Sequence, residues 1–129
     1  MASTLSGVQF NPALVKSLKS AADYSAAQTN VFVTITDDQI VTKSGTGEHA
    51  IGIMINKPGL GEAAEVVVLG TAPLKLSGTV AQNDYIKVDS AGTGIKSDTN
   101  LEKACAIALQ DGDSGDEIEV LIIHGERSK

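Results

Sequence analysis

The sequence predicts a mainly β protein. The expected form is a small sandwich or open barrel, tulip-like, made of two repeated double-hairpin units with an N-terminal arm that can include one short helix. Three observations lead there. Short β-branched runs, "VFVTI", "AIGIMI", "EVVVL", "DYIKV", "ACAIAL" and "EIEVLII", sit between clusters of Gly, Asp, Ser and Asn, the punctuation of strands and turns. The chain matches itself when shifted by 54 residues, Ala27 falling on Ala81 and Glu48 on Glu102. Finally, at 129 residues it is long enough to bury one shared core without disulfides, and its one cysteine permits no intramolecular bridge.

In chain order, residues 1–24 come first and have no partner in the repeat. Asn11-Pro12 is a good helix start, Asn as cap and Pro in the first turn. Leu14, Val15, Leu18, Ala21 and Ala22 then recur at helical spacing. Two readings stay open for residues 11–22: a short amphipathic helix docked on the sheet, or an arm that orders only on another protein. Residues 1–10, with isolated apolar Leu5, Val8 and Phe10, read as arm.

The β domain spans residues 25–129, with copies at 26–70 and 80–124. Within them "EHAIGIMINKPGLGEAAEVVVLG" overlies "EKACAIALQDGDSGDEIEVLIIH", with Ile53/Ile107, Gly61/Gly115, Glu65/Glu119 and Val66/Val120 identical. Each copy reads as two hairpins. The first turns at Asp37-Asp38-Gln39 or Ser90-Ala91-Gly92, the second through Lys57 to Gly61 or Asp111 to Gly115. Gly61 and Gly115 are the loop positions expected to need φ > 0.

Asp111, Asp113 and Asp116, followed by Glu117 and Glu119, resemble either a Ca²⁺ loop or the charged tip of a hairpin. An EF-hand loop needs Gly at its sixth position and Glu at its twelfth. Counted from Asp111 those places hold Asp116 and Ile122, and the first copy has "NKPGLGE" instead of the acidic run. A turn with a solvated acidic face is the expectation, with no cofactor and no metal.

Function classes narrow in the same way. A net charge of −6 opposes a polyphosphate backbone, and two Tyr, two Phe and no Trp leave little to stack on bases, so no nucleic-acid partner is expected. The start lacks a secretory pattern, and apolar runs of about six residues are far short of a ~20-residue membrane span. Synthesis in a cytoplasm with no membrane partner is therefore expected. His49 and His124 sit at strand ends without a Cys/His cluster, "SGTG" lacks the Lys and Ser/Thr of a phosphate loop, and Cys105 lies in an apolar run. No catalytic residue is assigned and no enzyme is expected. One feature asks for a partner: in "EVVVLG" and "EIEVLIIH" apolar residues stop alternating, so both strand faces are apolar and another subunit or a larger partner is expected over the outer one.

"AIGIMINKPGLGEAAEVVVLG", "GTVAQNDYIKVDSAGTGIKSD" and "ACAIALQDGDSGDEIEVLIIH" resemble the tailed-bacteriophage capsid decoration (cement) proteins of the DUF2190-like type. Those chains carry a "GIAL…AGE.VEVLL" hairpin and an "AGD.V.VD..G" turn. The likeness runs over residues 26–124 and departs at Gln82-Asn83-Asp84, where the family has Ala-Gly-Asp. It implies a compact, often trimeric β protein on the outer surface of the head, without catalytic residues. The expected function follows: binding the major capsid protein and stabilising the shell against internal DNA pressure, with Leu5, Val8, Phe10, Leu14 and Val15 as capsid contacts. The alternatives are a tail or fibre module, or a Ca²⁺-binding β domain.

Overall fold

The computed structural model describes residues 12–26, 29–97 and 104–124. Among these run nine strands: β1 Pro12–Ser20, β2 Val31–Asp37, β3 Ile40–Lys43, β4 Gly52–Met54, β5 Ala63–Lys75, β6 Tyr85–Val88, β7 Gly94–Lys96, β8 Ala106–Ala108 and β9 Glu117–Ile122. The fold is mainly β, as the sequence predicts. The repeat is visible in the strand starts. Val31, Ile40, Gly52 and Ala63 open β2 to β5, and Tyr85, Gly94, Ala106 and Glu117, each 54 residues on, open β6 to β9.

All nine strands form one sheet in the order β1-β3-β2-β4-β5-β9-β8-β6-β7, and β1 also pairs with β5. The first copy therefore closes into a five-stranded ring. On the other side of β5, β9, β8, β6 and β7 form a second arc. A bridge between Leu76, just past β5, and Gly94 on β7 draws that arc round as well. β5 belongs to both. Its first half pairs with β1, Lys19 opposite Ala63 through Pro12 opposite Gly70, and its second half pairs with β9 from Thr71 opposite Leu121. The partner changes at Gly70, whose φ of 98° suits a residue without Cβ.

Two apolar clusters result. Leu18, Val31, Val33, Val41, Met54, Ala64 and Val66 fill the first ring. The larger cluster joins Leu74, Leu76, Ile86, Val88, Ile118, Val120 and Ile122 of the second arc to Phe32, Ile53 and Val67 of the first copy. Val66 and Val67 are both fully buried, one in each cluster. Within "EVVVLG", Val66 and Val67 are thus covered on opposite faces by this chain, while Leu69 is 47% exposed. At Val66 and Val67 this corrects the expectation of another subunit or a larger partner over the outer face. The packing is tight: a Cβ on Gly52 would lie 2.3 Å from the Val67 carbonyl oxygen.

The N-terminal expectation is corrected too. Pro12–Ser20 is neither helix nor free arm but a strand laid antiparallel on β5. It also has a partner in the repeat, which is the second half of β5. Leu18 faces Ala64 as Leu74 faces Ile118. Ser20 N–H donates to the Glu62 carbonyl at 2.9 Å as Leu76 N–H does to Asp116 at 2.8 Å. The Ser20 and Leu76 carbonyls accept the Gly61 and Gly115 N–H groups at 3.0 and 2.9 Å. A helix here would leave the Ala63–Gly70 edge of β5 with unpaired backbone groups. The arm expected over residues 1–10 lies outside the described residues.

If the two copies share the larger core, Phe32→Ala should lower the unfolding free energy by about 3–5 kcal/mol and Gly52→Ala by about 1–3 kcal/mol. Urea unfolding followed by circular dichroism measures both. A loss below ~1 kcal/mol for Phe32→Ala would mean the copies are not energetically joined.

Candidate functional site

The acidic loop is a turn whose carboxylates are already engaged. Asp116 Oδ2 accepts the Asp113 N–H at 2.9 Å, Asp111 Oδ1 accepts the Gln82 N–H at 2.8 Å, and Asp113 Oδ1 accepts the Thr79 hydroxyl at 3.2 Å. The first copy performs the same capping without the acidic run, Glu62 Oε1 accepting the Gly59 N–H at 2.8 Å. Next along, Asn56 Oδ1 accepts Glu65 N–H and Gln110 Oε1 accepts Glu119 N–H, at 2.8 and 2.7 Å. Gly61 and Gly115 adopt φ of 78° and 92°, and a Cβ there would meet open space, so backbone conformation alone favours glycine at both. Among the described residues, no group of three or more His, Cys, Asp or Glu is placed to hold a metal ion.

His49 and His124, far apart in sequence, line one shallow hollow of about 400 Å³ with Thr34, Ile35 and Ile51. His124 Nε2 is hydrogen-bonded to the Val68 carbonyl at 2.5 Å. Cys105 is buried, and its Sγ accepts the Ala50 N–H at 3.4 Å, one of the links between copies. Asp23 is held below the usual carboxylate range by the Ser25 hydroxyl and N–H, which donate to it as a local turn.

What the fold does present is apolar surface. Of the residues expected to meet a capsid, Leu5, Val8 and Phe10 lie outside the described residues. Leu14 and Val15 lie on β1, 49% and 40% exposed. Leu14 stands opposite Leu69 on β5, itself 47% exposed, so the strand pair brings three exposed aliphatic side chains together where Leu14 and Val15 alone were anticipated. From Pro12 to Ser17 every residue of β1 is exposed. Ser17 Oγ donates to both Glu65 carboxylate oxygens at 2.9 Å, marking the polar end of this strip. Leu69 was missed because "VVVLG" reads as one buried run. Leu69 lies two residues from Val67 on the same strand, and it is exposed where Val67 is fully buried.

No protein-family model and no curated protein matches this sequence. Among solved structures, the chain resembles the N base of the head fibre protein gp8.5 of bacteriophage phi29. The identity is 11% and the TM-score 0.66, over 90% of this chain and 98% of that one. At that identity the likeness establishes a shared fold.

Because the loop carboxylates already accept turn N–H and O–H groups, Ca²⁺ should leave thermal stability unchanged. Differential scanning fluorimetry in Ca²⁺ against chelator is expected to show a shift below ~1 °C. A ligand at a hundred times its Kd would add about 2.7 kcal/mol and several degrees.

Proposed function

We propose that this chain is a structural protein of a tailed-phage virion, bound to the outer surface of the head as a decoration protein. The observation that carries the reading is the fold shared, almost end to end, with a head-fibre base. The resemblance of the repeated hairpins to capsid decoration proteins supports it independently. In this reading the partner is the major capsid protein, the chain acts as a homotrimer, and it has no catalytic role. The exposed strip Leu14, Val15 and Leu69 is the capsid contact, extended by Leu5, Val8 and Phe10. Each bound copy adds buried contacts between neighbouring capsid subunits, which expansion under DNA pressure would have to break. A second reading is favoured by the same likeness: a base that anchors a fibre to the head.

Co-sedimentation with heads lacking the protein tests the proposal. The wild-type chain should pellet with heads. Leu14→Lys/Val15→Lys, at exposed positions, should stay folded and bind at least about tenfold more weakly, equivalent to 1.4 kcal/mol. Removing residues 1–10 should also reduce binding. Undiminished pelleting of both variants would assign the contact elsewhere, and no pelleting of the wild type would remove the reading.

A further inference from the structure

The two copies close the same end of their interiors differently. Ladder pairings fix the equivalent positions. Ile35 stands opposite Val41 as Val88 stands opposite Gly94, and Val41 and Gly94 are in turn bridged to Ser20 and Leu76. Ile51 N–H donates to the Val33 carbonyl at 2.9 Å as Cys105 N–H does to Ile86 at 2.8 Å. Val68 follows Val66 on β5 by two residues as Ile122 follows Val120 on β9. In the second copy Val88, Cys105 and Ile122 are all buried, in one cluster with Phe32, Ile53 and Val67 of the first copy. In the first copy the same end is open: Ile35 is 40% exposed, and Ile51 and Val68 are half-buried. Ile35 and Ile51 line the hollow of about 400 Å³ that Thr34, His49 and His124 complete.

We propose that this hollow seats an extended segment of another protein, one that carries an aromatic side chain between aliphatic ones. The inference deepens the decoration reading and rests on it for the owner of that segment, the capsid protein. Two observations select the occupant. The first is what fills the equivalent place in the second copy: Phe32 with Ile53 and Val67, an aromatic and two aliphatic side chains presented by strands. A mouth built on the same ladder accepts side chains of that kind. The second is that the surroundings differ as an interface differs from a core. Lys16 pairs with Val66 where Ala72 pairs with Val120, and two imidazoles line the hollow. Lysine is almost never fully buried, so this end is not closed as permanent core. An apolar centre with a polar margin is the composition of a surface that meets a separate partner. The imidazoles can also meet the N–H and C=O groups of an extended backbone.

The test follows methyl and imidazole NMR signals of the full chain, with a blocked Thr-Val-Phe-Val-Thr peptide as probe. The peptide should shift the Ile35, Ile51, His49 and His124 signals saturably. A peptide with Ser in place of Phe should bind at least about tenfold more weakly. Ile35→Lys, at an exposed position, should keep the circular dichroism spectrum, lose the peptide's effect and pellet with heads at least about tenfold more weakly. Leu60→Lys, at an exposed position outside the hollow, should match the wild type in both measurements. A peptide that leaves the four wild-type signals unmoved overturns the proposal, and that measurement needs no variant to fold. Two other occupants would overturn it as well. A light-scattering mass that falls to the protomer's in Ile35→Lys would give the hollow to a second copy, through its outward row Leu121–Ile107–Tyr85. Shifts of the same signals on removal of residues 1–10 would give it to this chain's own N-terminal segment. Peptide bound at the hollow of a chain that never pellets with heads would sustain the docking site and defeat the decoration reading.

Discussion

The structure depends on a single burial event: the outward row of the first copy, Phe32, Ile53 and Val67, entering the core of the second. β5 makes this possible by carrying Val66 into one cluster and Val67 into the other. A five-stranded unit of this size has little interior and would be marginal alone. By sharing a strand and lending one face to its neighbour, each copy completes the other. The backbone reinforces the arrangement where Lys75 N–H donates to the Asn30 carbonyl at 2.8 Å and Gly47 N–H to Val88 at 3.0 Å.

From this burial follows the asymmetry between copies that began as near equals. The first copy is sandwiched, so its outward row is dry. The second is terminal, so its outward row is wet yet still apolar. Surface chemistry divides accordingly: an aliphatic strip on β1 and β5, an aromatic–aliphatic row on β9, β8 and β6, and capped acidic turns at the loop end. These are broad, shallow features suited to other polypeptides, and the proposed virion role uses them as such.

The capping of the loops shows how the repeat tolerates divergence. Glu62 and Asp116 differ in length and their loops share little sequence, yet each accepts the N–H three residues earlier, Gly59 or Asp113. What is retained is a carboxylate at one position and a positive φ at Gly61 and Gly115. A fold can therefore persist at 11% identity to a head-fibre base, because alternation and turn geometry constrain residue type loosely.

The sequence by itself determined the mainly β class, the duplicated strand series and the positions of the turns, because alternation, Gly/Asp punctuation and self-similarity are local or periodic signals. It misled over Pro12–Ser20. Asn-Pro and the Leu14, Val15, Leu18 spacing suit a helix, and the open edge of β5 that captures the segment lies some fifty residues away. It also assigned the cover of Val66 and Val67 to another subunit or a larger partner, since a run apolar on both faces does not name what covers it. Two of the three residues of the exposed strip, Leu14 and Val15, were anticipated, but the exposure of Leu69 depends on where the second copy's cover ends. Which apolar faces are inside and which remain outside is a property of how the two copies pack. Tertiary structure decided it, because equivalent residues such as Val67 and Leu121 carry the same local code and differ only in their neighbours.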